Sequence, residues 1–346
     1  MNELYYRRGW TDGLPIVPPT LKRVEKMLDY TDYGASDLIT TIPPKYGEAT
    51  IEKMAINAVM AGCIPPYMPL IIAAVQAMSE QQFNLYGVQA TTHLCAPLLI
   101  VNGPMARELN INCSYNVFGQ GWRSNSTIGR AIRLILMNIG GGIPGILDRA
   151  TLGQPGKYSY CIAENEEQNP WEPLHVEKGF KRDESTVTVV GAEGPHNIND
   201  HISTNGSNIL SIVAGTMAPL GSNNTYAFGE PLLVLGPEHA AIIARDGFTK
   251  KDIKKFLYEQ ARNPMHKLKL GGMYGMGSWP KWIHTEDDSV MVPVVQNPED
   301  FMVIVAGGPG RHSVCIPTFG ITRSVTKPVA LKDGTIAKSI NDFKRN

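Results

Sequence analysis

Ten residues, Ala192-Glu-Gly-Pro-His-Asn-Ile-Asn-Asp-His201, gather two imidazoles, two carboxylates and two side-chain amides. Imidazole titrates near neutrality and is the commonest protein metal ligand, so His196 and His201 suit acid–base work or coordination, with Glu193 and Asp200 as partners. The His-x4-His spacing matches no standard zinc motif. The plainer alternative is that Asp200 or Asn199 caps a following helix while the histidines satisfy loop carbonyls. Glu238-His239, behind Gly236-Pro237, adds a third imidazole, although a glutamate in a first helical turn already serves the helix dipole. Gly307-Gly-Pro-Gly-Arg-His312 combines glycines that allow close backbone approach with Arg311, which can hold a carboxylate or phosphate in bidentate fashion, and His312 beside it.

Arg123-Ser-Asn-Ser-Thr127 precedes a helical run, so Arg123, Ser124 and Ser126 are anion-binding candidates; Ser and Asn are also what an ordinary N-cap uses. His93 lies two residues before Cys95. Free cysteine is among the most buried residue types, so Cys95 is expected in the core rather than as a nucleophile. The run Glu164-Asn-Glu-Glu167, with Glu172 and His175, has the donors for a hard cation, yet a charged loop is usually just solvated.

Three buried-strand signals must position these groups: Pro97-Leu-Leu-Ile-Val-Asn-Gly-Pro104, Pro231-Leu-Leu-Val-Leu-Gly-Pro237 and Phe301-Met-Val-Ile-Val-Ala-Gly-Gly-Pro309. An apolar run without polar alternation reads as a strand covered on both faces, and Gly-Pro stops it because proline cannot donate to a ladder. Ser185–Gly191 is a further strand by its β-branched content. Helices are expected over 51–61, capped by Thr50 and stopped by Gly62, over 68–78, and over 131–137. The order helix, polar stretch, strand, Gly-Pro, helix occurs around 68–109 and again around 208–245. This suggests an α/β fold of buried strands with covering helices in two duplicated lobes. The boundaries expected are an extended, proline-rich N-terminal arm (1–45), a first lobe (46–155), a second lobe (156–330) and a C-terminal tail (331–346).

Lys plus Arg and Asp plus Glu number 32 each, so no net field gathers nucleic acid or an acidic membrane surface. The 34 glycines and 25 prolines exceed the average share, roughly 12% of a chain, and charged residues are only 18%. A loop-rich enzyme, or a homo-oligomer with much covered surface, fits that balance. No glycine-rich nucleotide fingerprint follows a strand, so no nucleotide cofactor is expected. The five cysteines are scattered, and no apolar run reaches membrane-spanning length. The expected setting is cytoplasmic.

Trp10-Thr-Asp-Gly-Leu-Pro-Ile-Val-Pro-Pro-Thr20, Ala55-Ile-Asn-Ala-Val-Met-Ala-Gly-Cys63 and Gly194-Pro-His-Asn-Ile-Asn-Asp-His201 together resemble a largely uncharacterised bacterial family. Its members occur alone or joined to a UGSC (seleno)protein domain, and the likeness extends over almost the whole chain. The resemblance implies that some relatives work beside a selenol or thiol supplied by the joined domain. This chain has no Cys-Gly-Ser-Cys, so a redox role requires a separate thiol or selenol partner protein, and none of its cysteines inherits a catalytic role. The residues themselves point to an enzyme, a hydrolase or lyase, that cleaves a small anionic substrate. In that reading His196, His201 and His239 form a catalytic group or hold a divalent metal, Glu193 and Asp200 assist, and Arg123, Ser124, Ser126, Arg311, His312 and His93 bind substrate. A redox subunit and a non-enzymatic ligand-binding protein are the alternatives.

Overall fold

The computed structural model describes residues 1–344 and divides into two compact units. The first takes Met1–Glu164, His175–Gly191 and the chain from Ser324; the second takes Asn165–Leu174 and Ala192–Arg323. The strands in chain order are β1 (Leu38–Ile42), β2 (Gly47–Thr50), β3 (Ala96–Asn102), β4 (Cys161–Ala163), β5 (Thr186–Ala192) and β6 (His196–Asn199). They continue with β7 (Leu232–Leu235), β8 (Arg262–Pro264), β9 (Met291–Pro293), β10 (Met302–Val305), β11 (His312–Ile316) and β12 (Val325–Pro328). Helices cover mixed sheets, so the class is α/β.

In the first unit the main sheet runs β12-β5-β3-β4. Every residue of β3 is buried, as its unbroken apolar run requires. It pairs in parallel with β4 (Ile100 opposite Ile162), and β12 pairs antiparallel with β5 (Thr326 opposite Thr188). The helix Ile51–Ala61 starts where Thr50 accepts the Lys53 N–H and ends at Gly62, whose φ of 95° lies in the left-handed region. The helix Met68–Met78 buries every residue except Gln76, as an apolar helix without a polar face must.

The segment 1–45 is not an extended arm throughout. It holds the helices Asn2–Arg7 and Leu21–Leu28 and strand β1, and Val24 and Met27, three positions apart, bury one helical face. Around 331–344 the tail also belongs to the first unit, with Ile340 and Phe343 buried; positions 345 and 346 lie outside the described residues. A division at 155 misses the folding unit because β5 hydrogen-bonds beside β3, which keeps 175–191 with the N-terminal sheet.

The second unit's sheet runs β10-β7-β11-β6. β10 and β7 are parallel and wholly buried, β11 is antiparallel to β7, and β6 is antiparallel to β11. Ile209, Leu210 and Val213 of the helix Gly206–Met217 pack with Leu233, Leu235, Val303 and Val305 in its core.

The two sheets follow one plan. Each has a central strand (β3, β7), a parallel neighbour reached through helices (β4, β10), a strand on the other side (β5, β11) and a fourth at the edge (β12, β6). The detail repeats as well. Behind β3 the Met105 N–H donates to Ser185 Oγ at 3.0 Å, and behind β7 the Gly236 N–H donates to Ser313 Oγ at 3.1 Å. The fourth strands are exchanged: β6 follows β5 in the chain but joins the second unit's sheet, and β12 follows β11 but joins the first unit's.

Candidate functional site

A polar constellation of the second unit is built on the β6–β11 ladder, where His312 stands opposite Asn199, Ser313 opposite Ile198, Val314 opposite Asn197 and Cys315 opposite His196. Side chains alternate between the faces of a strand, and residues directly opposite share a face. Ile198 and Ser313 are buried, so His312, Asn197 and Asn199 emerge on the other, exposed face. There His312 Nδ1 meets Asn197 Oδ1 at 3.0 Å, and His312 Nε2 meets His201 Nε2 at 3.3 Å with the rings edge to face at 82°.

His201 owes its place to a turn. Asp200 Oδ1 accepts the N–H groups of Ile202 (3.2 Å) and Ser203 (2.9 Å), and Arg311 Nη1 donates to the carbonyls of His201 (2.9 Å) and Ser203 (3.1 Å). Glu238 steadies the loop from the other side. Its Oε1 accepts the Gly310 N–H at 2.7 Å and its Oε2 lies 3.8 Å from Arg311 Nε. Gly310 has φ 131°, which only glycine adopts without strain. Desolvation opposes ionisation of Asp200, but the hydrogen bonds from Ser203 and Ile202 outweigh it and lower its pKa. Asp200 Oδ2 is buried without a hydrogen-bond partner among the described residues.

His239 lies beneath this turn, fully buried. Its Nε2 is 3.0 Å from the Asp200 carbonyl, which can only accept, so Nε2 carries the proton and Nδ1, 2.8 Å from Ser313 Oγ, accepts. A directed chain results: Gly236 N–H to Ser313 Oγ, Ser313 O–H to His239, His239 N–H to the Asp200 carbonyl. Both ring nitrogens are occupied, so His239 is a support for the turn and not a proton donor, base or metal ligand in this arrangement.

The other expected residues separate. His196 is exposed and emerges on the face of β6 opposite to Asn197 and the His201–His312 pair. Glu193 donates its N–H to the Pro317 carbonyl at 2.8 Å, at the far end of β11 from His312. At about 3.3 Å per residue the two ends lie about 15 Å apart. The motif 192–201 is therefore one site in sequence and two in space, because an extended strand runs through its middle. Among the described residues no group of three or more His, Cys, Asp and Glu side chains comes together to hold a metal ion, so His196, His201 and His239 do not form a shared metal centre.

His93, Arg123, Ser124 and Ser126 belong to the first unit, not to the unit that carries the histidine pair. The helix expected over 131–137 begins at Arg123, with Trp122 as its N-cap and no side-chain cap bond, so Ser124 and Ser126 lie inside the helix rather than capping it. Ser124 is buried and donates to the Asn110 carbonyl at 2.6 Å, a structural bond that removes it from substrate binding. Ser126 borders a cavity of about 370 Å³ beside Tyr158 and Ser159. Arg123 is exposed on the first turn, and the His93 N–H closes a turn onto Thr91 Oγ1.

Burial pushes the thiol of Cys63 up to about 12 and that of Cys315 up to about 11, and raises Cys161 further, so none of these three supplies a thiolate at neutral pH. Cys95 is buried, as expected.

Sequence reasoning missed Asn197 as an orienting group and Ser313 as the link between β7 and His239. The signal for Ser313 was its place directly behind His312, where strand alternation turns one side chain outward and the next inward.

Compared with known proteins, the chain matches no family model and no curated sequence.

Proposed function

We propose that this chain is an enzyme that cleaves a small anionic substrate by hydrolysis or elimination, with His201 and His312 as an acid–base pair. The observation that carries the reading is the 3.3 Å approach of their Nε2 atoms on an exposed, braced surface. Asn197 Oδ1 only accepts, so His312 keeps a proton on Nδ1 and, when neutral, turns the Nε2 lone pair toward His201. One added proton then lies between two nitrogens, and a substrate atom approaching either ring meets a base on one side of that proton and an acid on the other. Arg311 holds the turn through Nη1 and supplies positive charge beside it, which favours an anionic substrate.

A second reading rests on the same distance. Two ligands about 2.05 Å from a tetrahedral zinc ion stand about 3.3 Å apart, so two neutral imidazoles in this placement suit a divalent cation completed by water or substrate.

The test is turnover of a panel of small carboxylate esters, phosphate esters and hydroxy acids, followed by NMR, together with metal analysis of each variant. The acid–base reading expects His201→Ala and His312→Ala each to lower the rate about a hundredfold or more, with His196→Ala unchanged. Metal that co-purifies with the wild type and is lost in both variants selects the second reading. Wild-type rates in both variants remove the pair from the mechanism.

A further inference from the structure

Arg133, on the helix Arg123–Asn138 of the first unit, is only 7% exposed. Its Nε donates to the Lys157 carbonyl at 2.7 Å, while Nη1 and Nη2 have no acceptor among the described residues. The two carboxylates around it are already taken. Asp12 receives Arg130 through Nε and Nη2, each at 2.8 Å, and Asp148 receives Lys157 Nζ at 2.7 Å and the Ala150 N–H at 3.1 Å. Three cations thus face two carboxylates, with one positive charge left over on a shielded guanidinium. Desolvation lowers the pKa of Arg133, yet a guanidinium stays cationic. Neither Nη1 nor Nη2 is among the buried polar atoms that lack a partner, so the fork reaches the space it borders.

Arg133 borders a cavity of about 570 Å³. Gln154 borders it too, and its orientation is fixed because Oε1 accepts the Gly156 N–H at 2.6 Å; Nε2 is therefore a donor, buried and without an acceptor among the described residues. The walls include Met137, Leu152 and Tyr158. These unfilled groups are donors; of the charged groups that also line the cavity, Asp12 is paired with Arg130 and Lys157 with Asp148.

We propose that this cavity is a binding site for a monocarboxylate with an apolar body. The carboxylate lies end-on against the Nη1/Nη2 fork of Arg133, with Gln154 Nε2 as a further donor, and the hydrocarbon covers Met137, Leu152 and Tyr158. A single negative charge matches the single uncompensated cation. A phosphate dianion would bring one negative charge more than this cation matches.

The test is calorimetric titration of the full chain with hexanoate and with benzoate, using benzamide and inorganic phosphate as controls. Hexanoate or benzoate saturates one site, and benzamide and phosphate bind about tenfold or more weakly. Arg133→Met lowers carboxylate affinity about tenfold or more, and Gln154→Leu lowers it severalfold. Methionine has a similar volume, and replacing an unpaired buried charge with an apolar side chain is commonly neutral or stabilising, so the variant is expected to fold. Gln154→Leu, on a half-buried loop, is the independent variant. Absence of saturable carboxylate binding overturns the proposal, as does equal binding of benzamide or phosphate. Wild-type affinity in a folded Arg133→Met protein, or in Gln154→Leu where Arg133→Met does not fold, also overturns it.

Discussion

Arg311 Nη1 donates to the His201 carbonyl at 2.9 Å, so the guanidinium expected to grip a substrate instead grips the backbone that presents an imidazole. The same nitrogen reaches the Ser203 carbonyl, and Glu238 holds Gly310 directly before Arg311. Arg311 is a positioning residue. Arg311→Met is expected to remove about 1.5–3 kcal/mol of stability, the usual size for hydrogen bonds from a charged donor. It should also loosen the His201 ring while His312 stays on Asn197. The check is urea unfolding together with the imidazole NMR signals of both residues; an unmoved His201 signal would show that the turn holds without the guanidinium.

The buried chain from Gly236 through Ser313 and His239 to Asp200 makes a second prediction. Ser313→Ala leaves the Gly236 N–H and His239 Nδ1 without their partner in a shielded place, and the expected loss is about 1–3 kcal/mol. Ser185→Ala strips the Met105 N–H in the same way, and the loss should fall in the same range. Denaturant unfolding measures both. Neither variant should change metal content, since neither serine reaches the His201–His312 pair.

Asp200 gives the fold a pH dependence of known sign. Its pKa is lower in the folded chain than in the unfolded one, so the folded state holds the proton less tightly. The resulting stabilisation is present above the ordinary carboxylate value near ~4 and is lost as pH falls through the folded value. Asp200→Asn should therefore melt below wild type at pH 7, and the gap should narrow as the pH drops below ~4. Calorimetric melting across that range decides it; a gap that widens in acid would reverse the assigned sign.

The strands that the sequence announced were those with continuous burial. β7 and β10 are apolar throughout, β3 is apolar up to Asn102, all three are followed by Gly-Pro, and β5 is β-branched. β6, β11 and β12 escaped because their positions are not continuously buried, and such strands exist only through the partners they find far along the chain. The site failed to read for the same reason. His201 and His312 are 111 residues apart and meet only because β6 and β11 pair, whereas His196, close to His201 in sequence, is turned away by strand alternation. Arg133 read as one polar position of a periodic helix, and nothing local distinguishes a solvated arginine from one shielded beside a cavity.

The exchanged edge strands lead to the last prediction. β12 pairs with β5 in the first unit's sheet but is delivered by the chain behind β11 of the second. A chain ending at Arg323 therefore loses a strand from the sheet of the first unit and none from that of the second. β5 becomes an edge, its outward N–H and C=O groups are unpaired, and Val325 and Val329, both buried, no longer cover their neighbours. Hydrogen exchange on this truncation should show β5 amides losing protection by orders of magnitude, while β7 and β10 exchange as in the full chain. Were protection lost equally in both sheets, the two units would unfold as one cooperative body, and the exchange of strands would couple them rather than merely complete each sheet.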